Sequence, residues 1–539
     1  MTEQAELYRR ELEDLKSART IHDSVWQKAY DYTYPERGYG FNGTEVFTAN
    51  DVSGKRRRIF DDTAADSVRS VAANFVSSTT PRNAMWIGFD AGFDTTADSA
   101  DDEVTRYLDN AARIIHENLQ ASNFYDLIFD CAIDLIVGGW PILFSGEAPQ
   151  GGYTFEQWPC GECYIAASMP NGPIDIIYRV TTFTVRQLVN KYGEGKVSPS
   201  TLANWQNSKH NEKVVVCHAI KPRSNGYVEG AVRSEAMRFE SCHLEIANKH
   251  VLTESGYHEF PCMVPRMSLI PGTHYALGMV DKALGSILSL NKIKEMEEDA
   301  LSVAVSGMWI AVDDGILNPN NVKIGPKKIL AANSVDSMKE LRSGSDFNVT
   351  FSAEERLQAA IRRSLMADQL QPQDGPDMTA YEVSIRVQIV RQMLGPMTAR
   401  FEAELRRMVD RLFMIALRAG VLGPAPEALG GVDITPQFYS PLARAQRMEE
   451  IQAMDRMETT IMNQMQVDPS VADIYDYEQA DRVRGDSLGV PKKVIRTQDA
   501  IDKIRDARKE SQEQAQQQAA MQQMATTGGE AAIKQAVAA

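Results

Sequence analysis

Apolar residues recur at helical spacing from Glu3 to about Tyr34, with Leu7, Leu12, Leu15, Ile21 and Trp26 as the stripe, and Tyr34-Pro35 ends the run. The pattern returns over Thr63–Ser77. There Ala65, Val68, Val71, Ala72 and Phe75 form a face small enough for close packing, and Asp61 or Asp62 stands where a cap is needed. Thr79-Thr-Pro81 stops that helix, and Trp86–Phe89 predicts a strand. Two more helices follow: Asp101–Ala121 is amphipathic, whereas Asn123–Val137 is apolar nearly all round and so predicts an internal helix. From Trp140 to about Ser268 the chain turns to short β-rich runs. These are Ile142–Phe144, Tyr164–Ala166, Ile174–Arg179, Val214–Ile220, Ala236–Phe239, Leu244–Ile246 and Phe260–Met263, with a short helix at Thr184–Tyr192. Asn171-Gly172 is a hairpin signal, and Pro271-Gly272 closes what reads as one α+β unit.

The second half is dominated by helices. Gly278–Val305 carries Val280, Leu284, Ile287, Leu288, Ile293 and Leu301 on its apolar side, and Lys292, Lys294, Glu295, Glu297, Glu298 and Asp299 on its charged side. Trp309–Thr350 returns to short strands and turns, marked by Asp314-Gly315, Asn318-Pro-Asn320 and Gly325-Pro326. A helix over Ser352–Asp368 then runs into an acidic break, Gln371, Pro372, Gln373, Asp374, Gly375, Pro376 and Asp377. The longest helical pattern spans Thr379 to about Ala419 and is interrupted at Gly395-Pro396, where a missing donor and a ring clash predict a kink. Unbent, about forty residues would make a rod of ~60 Å, longer than an ordinary domain core. A Pro/Gly-rich connector, 422–437, ends in strand-like Asp433–Tyr439. Helices follow at Leu442–Gln464, Pro469–Gly485 and Thr497 to about Gln518. The Gln/Ala/Met-rich tail from Glu513 has no core pattern and is expected to fray unless a partner orders it.

Composition narrows the function. At 539 residues and 43% hydrophobic, the chain has material for more than one core. No apolar run reaches the roughly 18 residues of a membrane span, and the start is acidic and amphipathic, unlike a secretory signal. The net charge of −16 argues against tight, sequence-reading contact with nucleic acid; it suits solubility, or a surface past which a polyanion slides. The basic run Lys55–Arg58 reads as a solvated loop or as a phosphate or partner contact. Cys160 and Cys163 form C-x-x-C, and Cys217-His218 and Cys242-His243 follow, but these spacings match no zinc finger or ribbon. Val214–Cys217 reads as a buried strand, so neither a metal nor a cofactor is expected. No phosphate-binding G-x-x-x-x-G-K-[ST] loop and no H-E-x-x-H is present, so no motor or catalytic motif stands out. Asp61, Asp62 and Asp134 leave open a Mg²⁺-dependent nuclease or hydrolase, although Asp61-Asp62 makes a better helix cap.

The order of parts, with five stretches in sequence, resembles the head-to-tail connecting (portal) proteins of short-tailed, podovirus-type bacteriophages. The stretches are Asp62–Arg82 with Trp86, Asp134–Gly139, Gly278–Asn291, Met378–Glu382 with Arg386, and Leu394–Arg411. The resemblance implies an α+β, multi-domain portal fold that is non-enzymatic and forms a twelve-membered ring. It implies a wing over 1–272, a first stem helix over 273–306, a clip over 307–350 and a second stem helix over 351–369. A tunnel loop over 370–378, a long kinked helix over 379–420, a wing return over 421–440, crown helices over 441–512 and a flexible tail over 513–539 complete it. Gln371–Asp377 would then line the narrowest part of a channel for double-stranded DNA, where repeated Asp374 and Asp377 repel phosphates. Lys292, Lys294, Glu295 and Glu298 would face the lumen or a neighbouring subunit. Lys323, Lys327 and Lys328 would touch DNA or a tail adaptor, or lie in a solvated turn. Implied partners are the terminase large subunit, tail adaptor or nozzle proteins, and the major capsid and scaffolding proteins. The implied location is the capsid portal vertex of the virion, after assembly in the host cytoplasm. Another virion scaffold or tail protein is the remaining structural alternative.

Overall fold

Helix α1, Thr2–Asp31, buries Ala5, Tyr8, Leu12, Trp26, Ala29 and Tyr30, but two apolar residues of the predicted stripe, Leu7 and Ile21, point to solvent at 53% and 76% exposure. Their places in the buried stripe are taken by Arg19 and Asp23. The helical register requires this, because 5, 8, 12, 15, 19, 23, 26 and 30 follow the three-to-four spacing of one face. Arg19 Nη1 donates to the carbonyls of Gly161 (2.7 Å) and Cys163 (2.9 Å), and Nη2 donates to Gly40 (2.8 Å). Its Nε lies 3.0 Å from Asp23 Oδ1, and its guanidinium stacks 4.1 Å from the Tyr164 ring centroid. Burial pushes the Asp23 carboxyl up, against the pull of Arg19.

The computed structural model describes residues 2–41, 51–90, 99–170, 172–224, 226–228, 233–306, 308–311, 338–341, 347–370, 380–426, 429, 434–438, 441–465, 469–488, 501–512 and 514. These fall into two compact units, Met1–Ser77 with Ser122–Arg411, and Ser78–Ala121 with Leu412–Ala539. None of the described helices is long and apolar enough to cross a membrane.

In the first unit, α1 is followed by α2 (Val52–Arg56) and α3 (Thr63–Thr79). Strand β1 (Ile87–Asp90) and helix α4 (Ser99–Ala121) belong to the second unit. Back in the first unit, α5 (Phe124–Val137) is buried on almost every side, as its composition predicts. Strands β2 (Ile142–Glu147), β3 (Tyr153–Trp158), β4 (Cys163–Ala166), β5 (Ile176–Thr184), β6 (Lys213–Pro222), β7 (Phe239–Glu245), β8 (His250–Tyr257) and β9 (Cys262–Met263) make two sheets. One has the order β3-β2-β9 and the other β4-β5-β6-β7-β8, with antiparallel pairing throughout. Helices α6 (Val185–Tyr192) and α7 (Pro199–Gln206) interrupt the larger sheet between β5 and β6. Thr184 and Gln187 form a reciprocal capping box on α6. Leu244–Ile246, read above as a strand of its own, largely falls within β7, and Ala236–Phe239 is mostly a short helical turn leading into it.

Alternation along β6 and β7 explains the Cys-His dipeptides. Cys217 and Cys242 pack with Tyr8 and Leu12 of α1, while His218 and His243, one residue on, face the other side. There the two rings stack with centroids 3.9 Å apart, edged by Trp158 and Tyr192. Burial drives His218 well below the usual histidine range and His243 down to about 3. All six cysteines are free and buried.

The hairpin β10 (Ser268–Leu269) and β11 (Ala276–Leu277) leads into α8 (Met279–Ser306). Gly139 has φ +89°, and a Cβ there would lie 2.4 Å from the Leu277 carbonyl carbon; one on Gly278 would lie 2.3 Å from the Ile136 oxygen. The end of α5 and the start of α8 therefore touch backbone to backbone, which a side chain at either glycine forbids. Strands β12 (Met308–Ala311) and β13 (Met338–Leu341) pair antiparallel. Next come α9 (Phe347–Ser364), α10 (Ala367–Leu370) and α11 (Ala380–Arg418). The returning helix thus starts before the predicted Ser352 and ends before Asp368, with Leu365-Met366 separating a short extra turn; Met366 has φ +61°.

In the second unit β1 pairs antiparallel with β14 (Thr435–Phe438), from Ile87↔Phe438 to Asp90↔Thr435. Val104, Leu108, Ala111, Ile115 and Leu119 of α4 are buried, and Phe89 packs on Phe413 at 4.8 Å. Residues 78–121 consequently group with the C-terminal part, and the sequence-predicted unit over 1–272 is not continuous. Helices α12 (Pro441–Met465) and α13 (Tyr477–Leu488) are clasped by Arg484, which reaches Glu458 at 2.6 Å and Asp455 at 3.0 Å. Residues 501–512 are also helical.

Two outcomes are expected. Arg19→Met leaves three carbonyls and Asp23 without a buried donor and should cost about 3–5 kcal/mol in urea unfolding. Arg19→Lys should not restore it, because an ammonium lacks the planar fork; an unchanged midpoint in both variants would mean that Arg19 is replaceable. For the histidine pair, both states are neutral above about pH 6.5. Below it the unfolded chain takes up protons that the folded one refuses, so stability falls towards pH 3 by about 1.4 kcal/mol per pH unit per histidine. His243→Phe should flatten that acid limb, measured as the unfolding midpoint against pH.

Candidate functional site

The helices α8 and α9 bracket the β12–β13 pair, and their contacts show how a long paired projection is rooted. At the base of α8, Ile287 and Leu290 are buried, and so are Ile361 and Leu365 of α9. Asn291 Oδ1 accepts the Phe60 backbone N–H at 2.8 Å, and its Nδ2 donates to the Ile287 carbonyl. Gln358 Nε2 donates to Asp61 Oδ2 at 2.9 Å, while Asp61 Oδ1 accepts from the Thr63 N–H at the start of α3. One turn further out, Lys294 Nζ lies 2.7 Å from Glu354 on α9 and 3.1 Å from Glu297 on its own helix. Contacts move up α8 as they move back along α9, so the two helices run antiparallel.

The electrostatics of this fastening are specific. Burial, followed by a hydrogen bond with Glu297, raises the Glu354 carboxyl, whereas the same hydrogen bond lowers Glu297. A proton is therefore held on Glu354 and shared with Glu297. Burial opposes charge on Lys294, but its hydrogen bonds to the two carboxyl groups outweigh it and raise the ammonium. Beyond this triad burial fades: Met296, Leu301 and Phe351 are 58%, 55% and 53% exposed. Apolar side chains on the outer part of a helical projection mark a surface that another chain covers.

Of the residues singled out in the sequence, Lys292 pairs with Glu295 on its own helix at 2.8 Å, and Lys294 pairs within its own protomer; Glu298 is exposed. Gly395 and Pro396 both lie within α11, which is helical on either side of them. Gln371, Pro372, Gln373, Asp374, Gly375, Pro376 and Asp377 lie outside the described residues, as do Lys323, Lys327 and Lys328. Sequence reasoning missed Glu354, Asn291 and Gln358. Glu354 carried a usable signal, an acid at the start of a returning helix opposite a departing Lys-rich one.

The scattered acids have other employment. Asp134 accepts from Arg37 Nε at 2.8 Å and Nη2 at 2.9 Å, from the Tyr30 hydroxyl at 3.0 Å, and from Gln157. Both of its oxygens are occupied within the core, and Asp61 ties α3 to α9. Among the described residues no group of histidines, cysteines and carboxylates is arranged to hold a metal ion. This constellation fastens elements together and performs no bond chemistry.

Lys294→Met is expected to leave Glu297 and Glu354 side by side without their cation. Amide exchange in 287–301 and 351–361 should then quicken roughly three- to tenfold, the reach of about 0.5–1.5 kcal/mol for one hydrogen bond. Glu354→Gln in that background should slow it again; unchanged exchange would mean that packing alone holds the pair.

The chain matches the profile of the family described as bacteriophage head to tail connecting protein over residues 5–495. It is 26% identical over 527 residues to a probable portal protein of Bordetella phage BPP-1, covering 95% of this chain and 92% of that one. It is 25% identical over 532 residues to the portal protein of Salmonella phage epsilon15, covering 96% and 93%. A looser structural likeness, with a TM-score of 0.35 and 12% identity over 78% of this chain and 92% of the other, is to a chain from the virion of a native gene transfer agent particle. With its whole helix–strand–helix region inside the matched span, the chain belongs to the bacteriophage head to tail connecting protein family, and it is a phage portal protein.

Proposed function

We propose that this portal protein works as a ring of twelve copies, a number taken from the family, set at one vertex of the capsid. The observation that carries this is the α8–α9 pair, rooted by Asn291, Gln358 and the Lys294–Glu354–Glu297 triad, with apolar side chains left exposed beyond it. On this view α8 and α9 are the stem, and residues 307–350, with β12 and β13, form the clip. Residues 371–377 form the tunnel loop, and α11 lies behind it with a kink at Gly395-Pro396. The first unit supplies most of the wing, and α12 and α13 belong to the crown.

Double-stranded DNA passes inward through the ring during packaging and outward during ejection. The terminase large subunit docks at the clip and supplies the ATP chemistry, and tail adaptor proteins replace it afterwards. Major capsid and scaffolding proteins surround the ring as it assembles in the host cytoplasm. The acidic balance of the chain, −16 per copy, supports a channel along which phosphates are repelled and do not stick. Lys323, Lys327 and Lys328 are the clip residues placed to meet an adaptor or the DNA.

Replacing Asp374 and Asp377 together with Lys should leave ring formation intact, seen by negative-stain imaging, while packaged DNA per particle falls about tenfold or more as phosphates linger. Normal packaging in rings of normal shape would remove the channel role from 371–377.

A further inference from the structure

The fold divides the basic run Lys55–Arg58 into two halves. Lys55 Nζ lies 2.9 Å from Asp31 and donates to the Gly38 carbonyl, and Arg56 lies 3.4 Å from Glu36. Arg57 and Arg58 are exposed and form no ion pair among the described residues. Two residues on, the Phe60 N–H is held by Asn291 of α8. Both arginines are thereby tied to the stem root, at the level along α8 where its outer stripe begins.

That stripe consists of Lys292, Glu295, Met296 and Asp299, at i, i+3, i+4 and i+7, on the side of α8 away from Lys294 and Glu297. Lys292 is engaged by Glu295, which leaves Asp299 and the flanking Glu298 exposed and without an ion pair among the described residues. Met296, 58% exposed, sits among them. One chain thus carries, at one height, two unpaired arginines and two unpaired carboxylates beside an uncovered thioether.

Rotation about an axis running alongside α8 moves a copy sideways without changing its height. Groups at equal height on different faces then meet on adjacent copies, in a head-to-tail contact that closes into a ring. We infer that Arg57 and Arg58 of one protomer clasp Glu298 and Asp299 on α8 of the next copy and close over Met296. The inference rests on the ring proposed above and names the contact that sets its spacing at the stem root. A second copy is the occupant favoured by charge: the acidic stripe repels a polyanion, while guanidinium and carboxylate pair through parallel hydrogen bonds.

The test is a charge swap in the full-length chain, with ring and monomer populations read by native mass spectrometry and sedimentation. R57E/R58E and E298R/D299R should each cut the ring population about tenfold or more at fixed concentration, and the combined variant should recover it to within about threefold. Rings of either reversed variant at the wild-type level, or a combined variant no better than its parents, would overturn the contact. That includes the case in which the reversal instead abolishes binding of DNA or of an adaptor. Should a reversed chain misfold, R57Q/R58Q decides: its assembly should weaken less with added salt than the wild type's, and equal salt slopes would overturn the contact. A wild-type chain that stays monomeric removes the ring and this contact together, whereas rings indifferent to every reversal remove the contact alone.

Discussion

Arg19 is a full charge placed where an amphipathic helix ordinarily carries an aliphatic side chain, and the first unit is arranged around it. Its desolvation is offset only when the carbonyls of Gly40, Gly161 and Cys163 are all in place at once, with Asp23 beside the guanidinium. Those carbonyls come from the segment after α1 and from the turn before β4, so neither can shift without stranding the charge. The same helix carries Trp26, whose indole N–H donates to the Ala276 carbonyl and whose ring meets Trp140 and Tyr275. Tyr275 in turn accepts the Ile165 N–H of β4. Since α8 begins three residues after Ala276, the direction in which it leaves the core is inherited from a cation buried near the other end of the sequence.

From that base the α8–α9 pair changes character with distance. Near the core it is held by buried aliphatic residues and by side-chain amides that accept or donate to the 60–61 segment. At Lys294 the fastening becomes ionic, with one cation between two carboxyl groups that share a proton. Beyond it the helices expose Met296, Leu301 and Phe351. The gradient suits a part whose lower end is fixed by its own chain and whose upper end is completed by others.

The long helices were legible in the sequence because many turns repeat the same apolar face, and α5 was legible as internal because it has no polar face at all. What escaped notice has physical reasons. Strands β3 and β8 lie at the edges of their sheets; β8 buries only Leu252, so its pattern hardly alternates. Helix α7 is two turns long and announces itself mainly by its Ser198 cap and Pro199. Arg19, Asp23 and Asp134 looked like surface or chemistry because charged residues usually are; only a three-dimensional set of partners makes them core. For the candidate site, Lys292, Lys294, Glu295 and Glu298 were found on the right helix. Their pairings were not, because Glu354 is sixty positions away from its cation. The grouping of 78–121 with the C-terminal part was equally hidden, since only strand 435–438, far along the chain, reveals it.

The bond between Trp26 and Ala276 joins residues 250 positions apart. At roughly 5–20 residues per second, a ribosome needs on the order of 12–50 s to bring the second after the first. Throughout that interval the nascent helix α1 presents an aromatic face and an unmet guanidinium to whatever is nearby. A chain built this way matures late and all at once, and it depends on the host's chaperones to shield its beginning until its middle has been made.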